Sequence, residues 1–254
     1  MDVWTEKIFS HISDSHHFSV MLSLLIPGEC FTAAEAHWTD KMDNIRDLKY
    51  QAIPPDSPYV TPHRMTFIQN GKLKYWDFLQ VHDIVVVIIY NTTRKKLILV
   101  RQFRPAVYHG QLKSANVDFN DIDFEKYPPS MGITIELCAG LIDKKGLSKK
   151  EIAREEILEE CGYDVRLDQI EEIFEFNSNV QSSSGKQTLF YCEVTDEQKV
   201  SEGGGIQNEI IDVVELSIEE VREKMGPGTC HNTPASSMLG ILWFLSFKAP
   251  QLCN

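Results

Sequence analysis

Residues 140–163 read GLIDKKGLSKKEIAREEILEECGY, and the pattern inside this stretch decides what kind of protein the chain is. Ser148 followed three residues later by Glu151 is a capping-box start, and Gly162 is a natural stop, so a helix is expected between them. Within it Glu156, Glu159 and Glu160 stand at i, i+3 and i+4. At 100° per residue their directions fall in an arc of roughly 100° on one helix face. Like charges placed this way repel, costing on the order of a few tenths of a kcal/mol per pair in an isolated helix. They become useful if a divalent cation sits among them. Mg²⁺ suits hard carboxylate oxygens and keeps its remaining positions for water or phosphate oxygens, with Mn²⁺ as the alternative ion. Ala153, Ile157 and Cys161 form an adjacent stripe that can pack into a core. Taken alone, the triad also fits an ordinary solvated acidic face.

Outward from the helix, the chain alternates strands and turns. Met65–Gln69, then Asn70-Gly71, then Lys72–Phe78 is a hairpin signal, because Asn-Gly supplies the positive φ angles of a tight turn. Ile84–Tyr90 is a continuous β-branched run, expected to be a strand buried on both faces, with Leu97–Val100 its partner. Residues 110–130 are polar, contain Pro128-Pro129, and read as a long loop. A strand follows at Ile133–Leu137, and Ala139-Gly140 opens the loop into the acidic helix. Further strands are expected at Ile170–Phe176, Thr188–Val194 and Ile210–Leu216, with helices beginning near Ile218 and running from Pro234 to Leu245. The fold class is α/β, a mixed sheet with helices packed on its faces. Three prolines in Ile53–Pro58 mark a break, and residues 1–45 read as an N-terminal extension before a domain spanning 46–254.

The 254 residues include 37 acids against 25 bases, a formal charge of −12. Nucleic-acid and anionic-membrane partners are therefore not expected, since both need a basic footprint. The six cysteines form no CxxC pair and no disulfide framework, which suits free thiols in the cytoplasm. Phe18–Ile26 resembles the apolar part of a signal peptide, with Ala34-Glu35-Ala36 in the place of a cleavage site. Asp2, Glu6 and Asp14 precede it in place of a basic cluster, so an appended helix or arm is the preferred reading.

The 140–163 stretch resembles the Nudix box, G-x5-E-x7-R-E-U-x-E-E-x-G-U, where U is a bulky apolar residue. Glu156 takes the glutamate after the arginine, Ile157 the apolar place, Glu159-Glu160 the acidic pair, Gly162 the glycine and Tyr163 the last bulky place. Glu155 occupies the arginine position, the gap after Gly140 is one residue longer, and the first glutamate is replaced by Gly146 or Leu147. In the family that glutamate and arginine brace loop to helix as an ion pair. Glu155 is assigned no metal here, so its replacement by arginine is expected to be tolerated or mildly beneficial.

Five segments in order, YWDFLQVHDIVVVI (75–88), LILVRQFRPAVYHG (97–110), ELCAGLID (136–143), EECGY (159–163) and SGKQTLFYCEV (184–194), are similar to the UDP-glucose pyrophosphatase branch of the Nudix hydrolases. The resemblance covers about Thr61 to the C-terminus. It implies a Nudix-type α/β/α sandwich and a homodimer whose N-terminal strands, the hairpin at about 61–80, reach across to the partner. It also implies Mg²⁺-dependent hydrolysis of a nucleoside-diphosphate sugar, UDP-glucose giving UMP and glucose 1-phosphate. ADP-ribose is the alternative substrate, and a non-catalytic Nudix-fold binding module is the alternative class.

On this resemblance Glu156, Glu159 and Glu160 hold the metal together with the Ala139 carbonyl. Arg104, in the Gln-Phe-Arg segment, binds phosphate, as a guanidinium does bidentately. Arg101 is a second substrate-binding candidate, although strand alternation turns it to the other face. Glu209, after Gly203-Gly204-Gly205, is the candidate proton acceptor or extra metal ligand, alongside Glu159. Gln207 stands where some ADP-ribose enzymes carry a basic glutamate and cannot accept a proton as a base. Glu202 is an outside candidate. The glycines suggest a mobile loop.

Overall fold

Asn70 and Gly71, with φ of 54° and 73°, make the tight turn that joins strand β1 (Val60–Gln69) to β2 (Lys72–Val81) in antiparallel register. This is the expected hairpin, lengthened at its open end. The computed structural model describes Met42, Asn44, Ile45, residues 47–206, 209–227 and 232–252. Contacts divide the chain into residues 1–40 and 41–254. The Phe18–Ile26 segment lies outside the described residues.

The main sheet has seven strands among the described residues. They are β3 (Ile84–Asn91), β4 (Lys96–Phe103), β5 (Ile133–Glu136), β6 (Cys138–Leu141), β7 (Ile170–Asn177), β8 (Lys186–Val194) and β9 (Ile211–Ser217). The path runs β5-β4-β3-β8-β7, with β6 paired to β3 and β9 to β4. Only β3 and β8 run parallel, so the sheet is mixed. β3 lies near its centre, which is why its residues are apolar without alternation.

Helices cover both faces. Helix α2 (Lys149–Cys161) puts Ile152, Ala153, Ile157 and Cys161 against Val85, Val87, Ile89, Ile98 and Val100. On the other face α3 (Ile218–Lys224) and α4 (Ala235–Phe247) put Ile218, Val221, Ile241 and Phe244 against Val86, Ile88, Leu97 and Leu99. Side-chain alternation along β3 and β4 feeds these two cores in turn.

Two local readings differ from expectation. The region taken as a loop from residue 110 is helical up to Ser114, in α1 (Pro105–Ser114). Pro105 sits at its first position, where the missing N–H is no loss, and Tyr108 and Leu112 are its buried anchors. A short last helix, α5 (Ala249–Leu252), closes the described chain. Ala139 and Gly140 are not loop but part of β6, because Val85 and Val86 of β3 pair with them.

Candidate active site on the acidic helix

α2 starts and stops where the sequence says. The Ser148 side chain accepts from the Glu151 amide, the Glu151 carboxylate accepts from the Ser148 amide, and Gly162 ends the helix at φ 74°. Its acidic face turns toward β6. The Ala139 amide donates to Glu160 Oε2 at 3.1 Å, and Glu160 is only 5% exposed. A Cβ on Gly140 would stand 2.0 Å from the Glu156 carboxyl group, so only glycine leaves room for that side chain.

Glu156 has no hydrogen bond or ion pair among the described residues. Burial, then repulsion from Glu160 and Glu159, pushes its pKa up to about 8, against a pull from Lys144. Burial likewise raises Glu160 to about 7, with the Ala139 amide, the Cys138 thiol and Arg104 opposing and Glu209 adding repulsion. These carboxylates lack counter-charge. Behind them the Cys138 thiol is held well above its usual range, first by its hydrogen bond with Cys161 and then by burial.

The glycine-rich segment is docked rather than free. The Gly204 amide donates to the Glu160 carbonyl at 2.9 Å and the Gly205 amide to the Glu159 carbonyl at 3.0 Å, satisfying carbonyls at the end of α2. Gly205, at φ 81°, also lets Glu209 fold back, its Oε2 accepting from the Ile206 amide at 2.9 Å. Glu209 thereby comes close enough to raise both Glu156 and Glu160. Glu202 is exposed, and Gln207 lies outside the described residues.

Arg104 caps the start of α1 and donates through Nε and Nη2 to both oxygens of Glu136, at 2.7 and 2.6 Å. Glu136 is 2% exposed and is further held by the Thr134 hydroxyl. This pairing raises the Arg104 pKa, a rise to which Glu160 and Glu209 nearby also contribute, and the Arg104 side chain remains partly exposed. Glu136 was not singled out in the sequence. Its signal is a charged residue in the strand Ile133–Leu137 at a position facing the α2 core, since it pairs with Val100. Arg101, in contrast, pairs with Asp212 at 3.3 Å on the face shared with Leu97 and Leu99. The structure therefore separates Arg101 from the acidic cluster.

Glu159 is partly exposed, 3.7 Å from Lys144 Nζ, and Lys144 is also paired with Glu155 at 2.6 Å. Arg154, one residue before the box's arginine place, points away to Asp164 and the Val165 carbonyl. Among the described residues no three His, Cys, Asp or Glu side chains are already gathered at metal-ligand spacing. The donor chemistry nevertheless fits a hard cation, being all carboxylate oxygen, partly buried and short of positive charge.

No family model matches the chain. The uridine diphosphate glucose pyrophosphatase NUDT14 of Bos taurus is 40% identical over 206 residues, covering 77% of this chain and 92% of the relative. The Mus musculus protein of the same name is 36% identical with the same shares covered. The chain belongs to this Nudix pyrophosphatase family. GDP-mannose pyrophosphatase of Cronobacter sakazakii is similar at 31% identity over 154 residues, 60% of this chain and 69% of that one. In this Nudix pyrophosphatase the box glutamates Glu156, Glu159 and Glu160 sit on one helix, with Glu209 and Arg104 brought in from distant loops.

Proposed function

We propose that this chain hydrolyses the diphosphate of a nucleoside-diphosphate sugar, converting UDP-glucose and water to UMP and glucose 1-phosphate. The observation that carries the reading is the counter-charge-poor pair of half-buried Glu156 and buried Glu160, beside an arginine whose side chain stays partly exposed. The names carried by relatives matched over 77% of the chain support the substrate class. Glu156, Glu159 and Glu160 are the residues that would hold Mg²⁺, or Mn²⁺, with the Ala139 carbonyl. The bound ion supplies charge neutralisation for phosphate and a lower pKa for water.

The chain's own groups supply the rest. Arg104 binds a phosphate oxygen, and Glu136 fixes its guanidinium plane so that no reorganisation is needed as the P–O bond breaks. Glu209 orients the attacking water or accepts its proton. The water oxygen ends on one phosphorus, and the bridging oxygen leaves with the other phosphate. The acid-lined site repels a dianionic diphosphate until its carboxylates are neutralised.

The hairpin exposes Met65, Ile68, Leu73, Tyr75 and Trp76, which supports a C2 homodimer built through β1 and β2. The free, buried thiols of Cys138, Cys161 and Cys192 support a cytoplasmic location. No helix among the described residues is long and apolar enough to cross a membrane. Residues 46–254 then form the hydrolase and residues 1–45 an extension.

A panel of UDP-glucose, ADP-ribose and GDP-mannose, run in ¹⁸O-water with Mg²⁺ or Mn²⁺, tests this function. UDP-glucose should turn over fastest, with label in UMP or glucose 1-phosphate. Binding without turnover would point to a non-catalytic module. Free glucose and UDP as first products, with label on the sugar, would overturn diphosphate cleavage.

A further inference from the structure

The segment from Ile142 to Leu147 joins β6 to α2, immediately after the backbone that meets Glu156 and Glu160. It is pinned at its start, where the Ile142 amide donates to the Asp83 carbonyl at 2.8 Å. Ile142 and Leu147 pack against the α2-side core. Between these anchors Lys144 reaches across to the helix. Its Nζ lies 2.6 Å from Glu155 and 3.7 Å from Glu159. Among the described residues, no other lysine or arginine forms an ion pair with the α2 acids from Glu155 to Glu160. Arg104, the other nearby cation, is committed to Glu136.

We propose that Lys144 is a positioning residue for hydrolysis. Its bridge to Glu155 and Glu159 docks the post-β6 loop onto α2 and so holds the Glu159 carboxylate, beside the β6 backbone that β3 pairing already fixes, where it meets the substrate. The Lys144–Glu155 pair meets the helix at the position of the box's arginine, but its loop end lies two residues before Gly146, so it ties loop to helix through a different loop residue and with opposite signs. Both Lys144 and Glu155 are 39% exposed, so the pair adds little to global stability. Its effect is geometric, because it ties a six-residue loop containing Gly146 at φ 90° to a capped, rigid helix. Glu155 also stands four residues before Glu159, so a cation placed at 155 can reach Glu159 along the helix.

This inference rests on the pyrophosphatase reading, and its test separates the two. Lys144→Glu, Glu155→Lys and the double exchange are compared in the full chain with UDP-glucose and Mg²⁺. Each single variant should lower kcat about tenfold with KM little changed, and the double exchange should return to within about threefold of the parent, as coupled partners do. Melting temperatures should stay close to the parent's. In the metal-free chain, amides of Asp143 to Leu147 should exchange several-fold faster in each single variant and regain protection in the double. Parent-like kcat in the singles, additive losses in the double, or unchanged loop exchange would each overturn the positioning role. If the parent hydrolyses no nucleoside-diphosphate sugar, the functional reading fails, and the exchange measurement alone then decides the bridge.

Discussion

Glu156→Gln is expected to separate stability from activity, because the carboxylate is costly to the folded chain until a cation joins it. Glu156 and Glu160 have folded-state pKa values near 8 and 7, above the ordinary glutamate value of 4.5. The folded protein therefore retains protons that the unfolded chain releases. Stability from these groups is complete below about pH 4.5 and is lost as pH rises through 7 and 8. A tenfold change in proton affinity is worth about 1.4 kcal/mol, so full insulation from water would give a loss of about 3–4 kcal/mol between pH 6 and 8. Glu156 keeps part of its surface in water, and screening brings the expectation to about 2 kcal/mol. Urea denaturation in EDTA at the two pH values measures it.

Glu156→Gln, neutral and of the same shape, should lose less than about 1 kcal/mol over that range while turnover collapses. Saturating Mg²⁺ should reverse the parent's trend, since the ion binds only deprotonated carboxylates. A metal-free parent whose stability changes by less than about 0.5 kcal/mol between pH 6 and 8 would refute the reasoning, because the two glutamates would then have found counter-charge in the fold.

Other perturbations probe separate parts of the site. Glu160→Gln should lower turnover at least about a hundredfold at saturating Mg²⁺ with the fold preserved by circular dichroism; near-parent turnover would remove Glu160 from the metal set. Gly140→Ala should abolish activity, because its Cβ would occupy the space of the Glu156 carboxyl group at 2.0 Å; a parent-like kcat would show that Glu156 can leave that position without consequence. Paired Ile68→Asp and Leu73→Asp changes on the exposed hairpin should yield monomers by light scattering, and a parent that is already monomeric at micromolar concentration would refute the homodimer.

The elements read most directly from the sequence are those whose cause is local. Ser148, Glu151 and Gly162 bound α2 through contacts within a few residues, and Asn70-Gly71 turns the hairpin by its own φ angles. The face of Arg101 followed from alternation along one strand. The partner of Arg104 could not be read this way. Glu136 lies 32 residues further on, and strand pairing rather than spacing brings the two together. The same holds for Lys144 and Glu155, 11 residues apart across a loop whose path depends on β6 pairing with β3. That pairing also changes the expectation for Glu155. With Lys144 2.6 Å away, an arginine at 155 would face a like charge, so the replacement should cost activity rather than be tolerated. Pro105 at the first position of α1 is a helix-start signal that sits in the sequence itself, five residues before the polar run read as a loop.

Charge accounting connects the fold to the chemistry. Glu136, Glu156, Glu159, Glu160 and Glu209 converge where Arg104 and Lys144 are the nearby cations, and each cation is already engaged, with Glu136 and with Glu155. In a chain of net charge −12, no distant excess of bases offsets this deficit. The metal-free fold meets it by raising the proton affinity of Glu156 and Glu160. Protons, however, leave a neutral surface that offers an anionic diphosphate nothing beyond Arg104. A divalent ion held by these carboxylates would supply the missing charge at the same oxygens and would convert an electrostatic cost of folding into substrate affinity. The glycines at 140 and 205 fit the same logic, since each admits a carboxylate where any larger residue would push it away from the others. On the proposed function, the acidic helix is thus poorly optimised for stability at the very positions that would serve phosphate chemistry.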